Sequence, residues 1–238
     1  LNKIESIMLQ NRNFHGETIR SEIEWFCTGL KMPDYYFQTT PLETIAGHIE
    51  AIKAAEIIAS SQPETAMKLD LARELKGEAI YLVDDYHYRA LEVEKRIEAK
   101  YPHARLHSYR TQGKSMGLDH LRMYLVYSPK FCMDTLFPEE TDIRKIACPD
   151  FLKTSTPETI DRYQEIIIKS AGWESPLIEV SYIEDPDEMR IMVVTNRDSS
   201  SHFFTNVSDV INTHGLVSNR KYVEPFANGK TVYAFYLD

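Results

Sequence analysis

Three cysteines and eight histidines are the residues best suited to nucleophilic or metal chemistry, and their spacing gathers none of them into a recognisable site. Cys27, Cys132 and Cys148 stand far apart in an odd count, which suggests neither a disulfide framework nor a zinc knuckle. His103 and His107 are four residues apart, but Pro102 and the strand pattern that follows take them off a helix, where that spacing would align two ligands. Gly113-Lys114-Ser115 would close a phosphate-binding loop only with a glycine five positions before Gly113, and that position is Ser108. Neither Gly-x-Gly-x-x-Gly nor Gly-x-Ser-x-Gly occurs. Asn206-Val207-Ser208 fits a glycosylation sequon but follows no leader peptide, so it carries no meaning here. A small hydrolase would need the fold to bring a cysteine and a histidine into hydrogen-bonding reach within a cleft. The sequence nominates no catalytic residue and no metal ligand.

Binding has better candidates, in two strand-to-helix turns. The backbone amides that open a helix can hold the carboxylate of a small ligand, and nearby acidic or amide side chains can hold its ammonium group. One turn offers Asp84 and Asp85; the other offers Asn196, Asp198, Ser199 and Ser200. The competing reading is plain helix capping, which Asp, Asn and Ser perform routinely.

The elements that would position these turns occur twice. Met189 to Thr195 is a β-branched, apolar run of strand length, and Asn196 to Ser201 is turn material. Phe203, Val207, Val210, Ile211 and His214 recur at helical steps, and Gly215 can take the left-handed cap. Arg220 to Phe226 and Thr231 to Leu237 flank Asn228-Gly229, a pair suited to the positive backbone angles of a two-residue hairpin turn. The same order begins earlier: strand Ala79 to Val83, a helix with inner face Ala90, Val93, Ile97 and Tyr101, then strands Arg105 to Tyr109 and His120 to Tyr127. Thr156-Pro157 starts a capped helix lined by Ile160, Tyr163, Ile167 and Ala171, and Ile178 to Ile183 is a further strand. Between them, residues 129 to 156 read as a loop with one helical turn near Asp142.

Ahead of the repeats, residues 1 to 76 read as helical. Ile19, Ile23, Phe26 and Leu30 mark one stripe. Met32 to Gln38 reads as a loop whose Tyr35, Tyr36 and Phe37 wedge helix against sheet rather than bind. Thr40 and Pro41 start a helix with inner face Ile45, Ile49 and Ile52, and a shorter helix spans Glu64 to Leu75. Tyr222, Tyr233, Phe235 and Tyr236 alternate along strands and should face a core or a neighbouring subunit.

The fold class is therefore α+β: an N-terminal helical layer (1–76) and two ferredoxin-like antiparallel sheets of βαββ type with helices on one face (77–183 and 184–238). The second repeat is completed either by the 156–172 helix or by residues beyond Asp238. At 238 residues each domain can bury a core without disulfides. No apolar run approaches the roughly 20 residues of a spanning helix, and the absence of a leader with unpaired cysteines fits a cytoplasmic setting. A net charge of -9 opposes phosphate backbones, so nucleic acid is not an expected partner. Leu1 in place of Met, and an apolar strand running almost to the last residue, read as a segment of a longer polypeptide.

Arg220-Lys221-Tyr222-Val223-Glu224-Pro225-Phe226-Ala227-Asn228-Gly229, followed by Thr231 to Leu237, resembles a stretch of the long-chain NAD-specific glutamate dehydrogenases that lies upstream of their catalytic domain. Met32-Pro33-Asp34-Tyr35-Tyr36-Phe37-Gln38-Thr39 is similar to that family's N-terminal region. The resemblance implies a non-catalytic regulatory and assembly region, with βαββ units of the ACT type, modules that usually sense amino acids near the first strand-helix turn, here Asp84, Asp85 and Tyr86 in one unit and Asn196 to Ser200 in the other. It places the catalytic lysine and the NAD site in a downstream catalytic domain of the same chain, with no cofactor in this segment. It also implies an amino-acid effector and a homo-oligomer. The alternative is a stand-alone small-molecule-binding protein of ferredoxin-like fold.

Overall fold

The computed structural model describes residues 2–10, 16–30, 32–61, 70–75, 77–85, 87–111, 120–128, 138–183, 187–197 and 200–238. The chain divides into two compact units, Leu1–Ala90 with Tyr109–Tyr124, and Leu91–Ser108 with Leu125–Asp238.

In the first unit, apolar stripes produce four helices: α1 (Asn2–Gln10), α2 (Gly16–Gly29), α3 (Asp34–Thr39) and α4 (Leu42–Ser61). Ile19, Ile23, Phe26, Leu30, Ile45, Ile49 and Ile52 are all buried, as their spacing predicts. The Met32 to Gln38 stretch is not a loop, because Pro33 and Asp34 open α3 with an extended residue and a first-turn acid. Thr40 closes α3, its N–H donating to Tyr36 O, so α4 begins one residue later than a Thr40 cap would place it. Tyr36 packs 6.1 Å from Phe26, and its hydroxyl meets His48 Nδ1 at 2.5 Å, while His48 Nε2 meets Glu78 Oε1 at 2.5 Å. The aromatic segment is thus tied through a buried histidine to a strand; the Tyr35 side chain lies outside the described residues.

That strand is β2 (Glu78–Asp84), and β1 (Asp70–Leu75) pairs antiparallel with it. Residues 70–75 are therefore strand, not the end of a helix; residues 64–69 lie outside the described residues. Asp70 to Leu75 is helix-compatible by composition, and pairing with β2 overrides that weak preference. After β2 come α5 (His87–Lys100), β3 (Arg105–Arg110) and β4 (Leu121–Tyr127), with neighbours in the order β1-β2-β4-β3. The loop of 112–119 lies outside the described residues.

The second unit holds short helices α6 (Ile143–Ile146) and α7 (Pro149–Thr154), then α8 (Pro157–Lys169), β5 (Leu177–Ile183), β6 (Glu188–Asn196), α9 (Phe203–Thr213), β7 (Ser218–Pro225) and β8 (Lys230–Leu237). Asp142 caps α6 by accepting from Arg144 N, and Thr156 caps α8 by accepting from Thr159 N. Its strands run β3-β7-β8-β6-β5, with β7–β8, β8–β6 and β6–β5 antiparallel. The α+β class holds, and β2-α5-β3-β4 and β6-α9-β7-β8 share one strand order, each with an extra antiparallel strand beside its first.

Strand alternation sorts the second unit into two faces. Lys221, Val223, Tyr233, Phe235 and Val193 share one face, where Phe204 of α9 stacks on Phe235 at 5.8 Å. Arg105, Tyr222, Glu224 and Ala234 share the other, where Arg105 reaches Thr154 of α7. Helices therefore meet both faces, α5 and α9 one and α7 the other. In α8, Tyr163, Ile166 and Ile167 are buried while Ala171 is exposed, since the helix ends at Lys169.

Two local expectations fail in instructive ways. The hairpin turn spans more than Asn228-Gly229: Gly229 N donates to Phe226 O at 3.2 Å, Phe226 N donates to Lys230 O at 2.9 Å, and only Gly229 takes a positive φ (82°). That is a three-residue hairpin loop closed by a left-handed glycine. In α9 the buried residues are Phe204, Thr205, Ser208 and Ile211, whereas Val210 is 59% exposed and His214 lies outside. The helix turns a partly polar face inward because charged partners await it there.

Candidate functional site

Those partners come from α5 and β7. Glu98 of α5 points at the first turn of α9: its Oε1 accepts from Phe204 N at 3.0 Å, and its Oε2 accepts from Thr205 N at 3.1 Å and from Thr205 Oγ1 at 2.5 Å. A carboxylate thus occupies the amides and the positive dipole end that open the helix. One turn on, Ser208 meets Lys221 of β7, whose Nζ lies 3.0 Å from Ser208 Oγ and donates to Glu94 Oε1 at 2.6 Å. Glu94 and Lys221 are 0% and 2% exposed, so the pair is removed from water.

Beside Glu98 opens a cavity of about 330 Å³ within the second unit. Its floor is sheet, with Leu106, Val223 and Tyr233, and its walls come from the end of α5 and the β6–α9 turn, with Glu98, His103, Asn196, Arg197, Ser200 and His202. His103 (φ 63°) and His202 (φ 57°) are the non-glycine residues with positive φ among the described residues, and both line this cavity. Left-handed backbone at a non-glycine residue costs about 1–2 kcal/mol, and such strain concentrates at functional sites. His202 Nδ1 stands 3.9 Å from Glu98 Oε2. Arg197 donates from Nη2 to Phe226 O at 2.8 Å, and its backbone N donates to Gly229 O at 2.6 Å. The cavity offers an acid, a guanidinium, imidazoles and hydroxyls around an apolar floor, a lining for a small polar ligand.

Of the residues nominated in the second turn, Asn196 and Ser200 line this cavity, and Asp198 and Ser199 lie outside the described residues. Asn196 Nδ2 donates to Trp173 O and Glu174 O at 3.4 Å, and Lys230 Nζ also donates to Trp173 O, at 2.8 Å. In the first turn Tyr86 lies outside the described residues. Asp85 accepts from Arg122 Nε at 2.7 Å and from Arg110 Nε at 2.6 Å, and Asp84 faces Arg89 at 3.8 Å. Both acids answer arginines of their own chain. Sequence reading missed Glu98, His103 and Arg197 as cavity residues; the left-handed backbone of the two histidines has no local sequence signal.

The opposite face of the second unit carries a separate polar cluster. Glu224 accepts from Arg105 Nε at 2.9 Å with each oxygen, and His107 Nε2 lies 3.0 Å from its Oε1. Burial alone would raise the Glu224 carboxyl, but the charge of Arg105 and the hydrogen bond of His107 outweigh it and hold it below the ordinary carboxylate range. Cys148 nearby is 4% exposed, accepts from Phe151 N at 3.4 Å, and has its thiol pushed up by burial and by Glu224. A buried thiol with a raised pKa is a capping group, not a nucleophile. Among the described residues no group of three His, Cys, Asp or Glu could hold a metal, and no helix is long and apolar enough to cross a membrane.

Comparison with known proteins matches both parts of the chain to one family. Residues 69–238 match the family model of the NAD-specific glutamate dehydrogenase second domain, and residues 1–58 match that of the NAD-dependent glutamate dehydrogenase N-terminal domain. The chain is similar to an NAD-specific glutamate dehydrogenase of Neurospora crassa, 30% identical over 100% of this chain and 24% of the relative. It is 25% identical to glutamate dehydrogenase 2 of Dictyostelium discoideum, over 99% of this chain and 27% of the relative. A probable NAD-specific glutamate dehydrogenase of Schizosaccharomyces pombe is 26% identical, over 98% of this chain and 23% of the relative. The chain thus spans about a quarter of the length of the curated relatives it matches. It belongs to the NAD-specific glutamate dehydrogenase family and corresponds to an N-terminal segment of those proteins.

Proposed function

We propose that this segment is a non-catalytic regulatory and assembly region of an NAD-dependent glutamate dehydrogenase, built from two ACT-like modules, with NAD and the chemistry housed downstream. The observation that carries the regulatory part is the cavity at the β6–α9 turn, lined by Glu98 and Arg197 and rimmed by two strained histidines. A free amino acid presents an ammonium and a carboxylate a few ångströms apart, and an acidic and a basic group in one small cavity match that pattern. The α9 amides do not supply the carboxylate subsite in this arrangement, because Glu98 already accepts from them.

The test is a thermal-shift survey of the 238-residue chain with the common amino acids at millimolar concentration. A ligand bound only by the folded form at one hundred times its Kd stabilises by about 2.7 kcal/mol. An amino acid that raises the Tm of the parent but not of Arg197→Ala supports the reading. A flat response to every amino acid, or glutamate-dependent reduction of NAD by this segment alone, would overturn it.

A further inference from the structure

We infer that β5 is a self-association edge, at which a second copy of this chain pairs antiparallel about Val180. This deepens the assembly role proposed above. Among the described residues β6 is the one strand neighbour of β5, so the outer hydrogen-bonding edge of β5 faces away from the sheet. Edge strands in soluble proteins are commonly blunted by lysine, proline or a bulge. Strand β5 reads Leu177-Ile178-Glu179-Val180-Ser181-Tyr182-Ile183, with none of these, and pairs with β6 in unbroken register. Ile178, Val180 and Tyr182 point to one face at 61%, 61% and 66% exposure, an apolar row left uncovered among the described residues.

The occupant follows from the symmetry of that row. A two-fold axis through Val180, the middle residue of β5, sets Ile178 against Tyr182 of the second copy, and Leu177 against its Ile183. Glu179 then meets Ser181 rather than another Glu179, and its charge is already answered by Lys169 at 2.7 Å. Every cross-strand pair is apolar with apolar or acid with hydroxyl, and no like charges are opposed. Strand pairing with three exposed apolar side chains buries less than the about 800 Å² per partner of a standard stable interface, so the contact is a reversible one.

Sedimentation velocity of the 238-residue chain over a micromolar concentration series reads the association directly. The expected result is a rise in mass from 27.6 kDa towards twice that value, abolished in Val180→Lys, which opposes two ammonium groups, and retained in Val210→Lys on α9. Cysteine cross-linking reads the register. Directly opposed residues have Cβ atoms about 4.5–5.5 Å apart, so Val180→Cys should form a disulfide dimer well above the parent's background. Ile178→Cys should not, since four residues of strand, about 13 Å, separate it from its own copy. A chain that stays monomeric, a dimer unaffected by Val180→Lys, or cross-linking at 178 as efficient as at 180 would each overturn the inference. A monomer would favour a helix from elsewhere in the enzyme as the cover of this row. None of these outcomes alters the response to amino acids, so the effector reading stands or falls separately.

Discussion

Replacing Glu98 by alanine removes the acceptor for Phe204 N, Thr205 N and Thr205 Oγ1 at once and leaves the first turn of α9 facing the cavity unsatisfied. A lost helix cap costs about 1 kcal/mol, and a hydrogen bond to a charged acceptor contributes about 1.5–3 kcal/mol. The Glu98 side chain is 21% exposed, so water enters once it is removed and recovers part of that loss. The expected net destabilisation is about 2 kcal/mol, which for a chain of this length lowers Tm by about 4–8 °C. The vacated amides should also become an anion site. Acetate or formate at ten times its Kd would restore about 1.4 kcal/mol to Glu98→Ala and nothing to the parent, read by thermal denaturation with chloride at matched ionic strength. Glu98→Gln keeps an acceptor oxygen without the charge and should fall between the two. A loss below about 0.5 kcal/mol, or an equal acetate response in parent and variant, would refute the assignment of Glu98 as the occupant of that helix end.

Two further outcomes follow from the buried charges. Glu94→Ala should cost about 3–5 kcal/mol in urea denaturation because it strands the Lys221 ammonium under the Phe204 ring, while the double variant Glu94→Leu with Lys221→Met recovers most of it; equal losses in single and double variants would contradict this. For Glu224 the folded pKa lies below the unfolded one, so its stabilisation is present above the unfolded value of about 4.3 and is lost as pH falls through the folded value. Glu224→Gln should therefore be less stable at neutral pH and show a shallower acid limb in chemical denaturation, and an unchanged limb would count against the Arg105 pairing.

The second repeat was legible in sequence because its signals are local: a β-branched run, a glycine after a helix, a turn pair before a strand-prone run. The buried stripe of α2 was legible for the same reason. What could not be read depended on distant partners. The inward face of α9 follows Glu98 and Lys221, and Glu98 lies 106 residues before the amide it accepts from, so counting apolar residues found Ile211 but missed Thr205 and Ser208. The Asp70 to Leu75 run carries helix-compatible residues and becomes β1 only through β2. At the candidate site, the turn residues Asn196 and Ser200 were visible by type, whereas Glu98 and His103 across the cavity come from another part of the chain and carry no motif.

Thr205 and Ser208 act as two pegs one turn apart on α9, seated in different sockets, Glu98 and Lys221. An apolar helix can slip or roll on an oily sheet with little penalty; one keyed at two points can do neither without stranding a charge. The wall of the cavity that α9 provides is accordingly a fixed one.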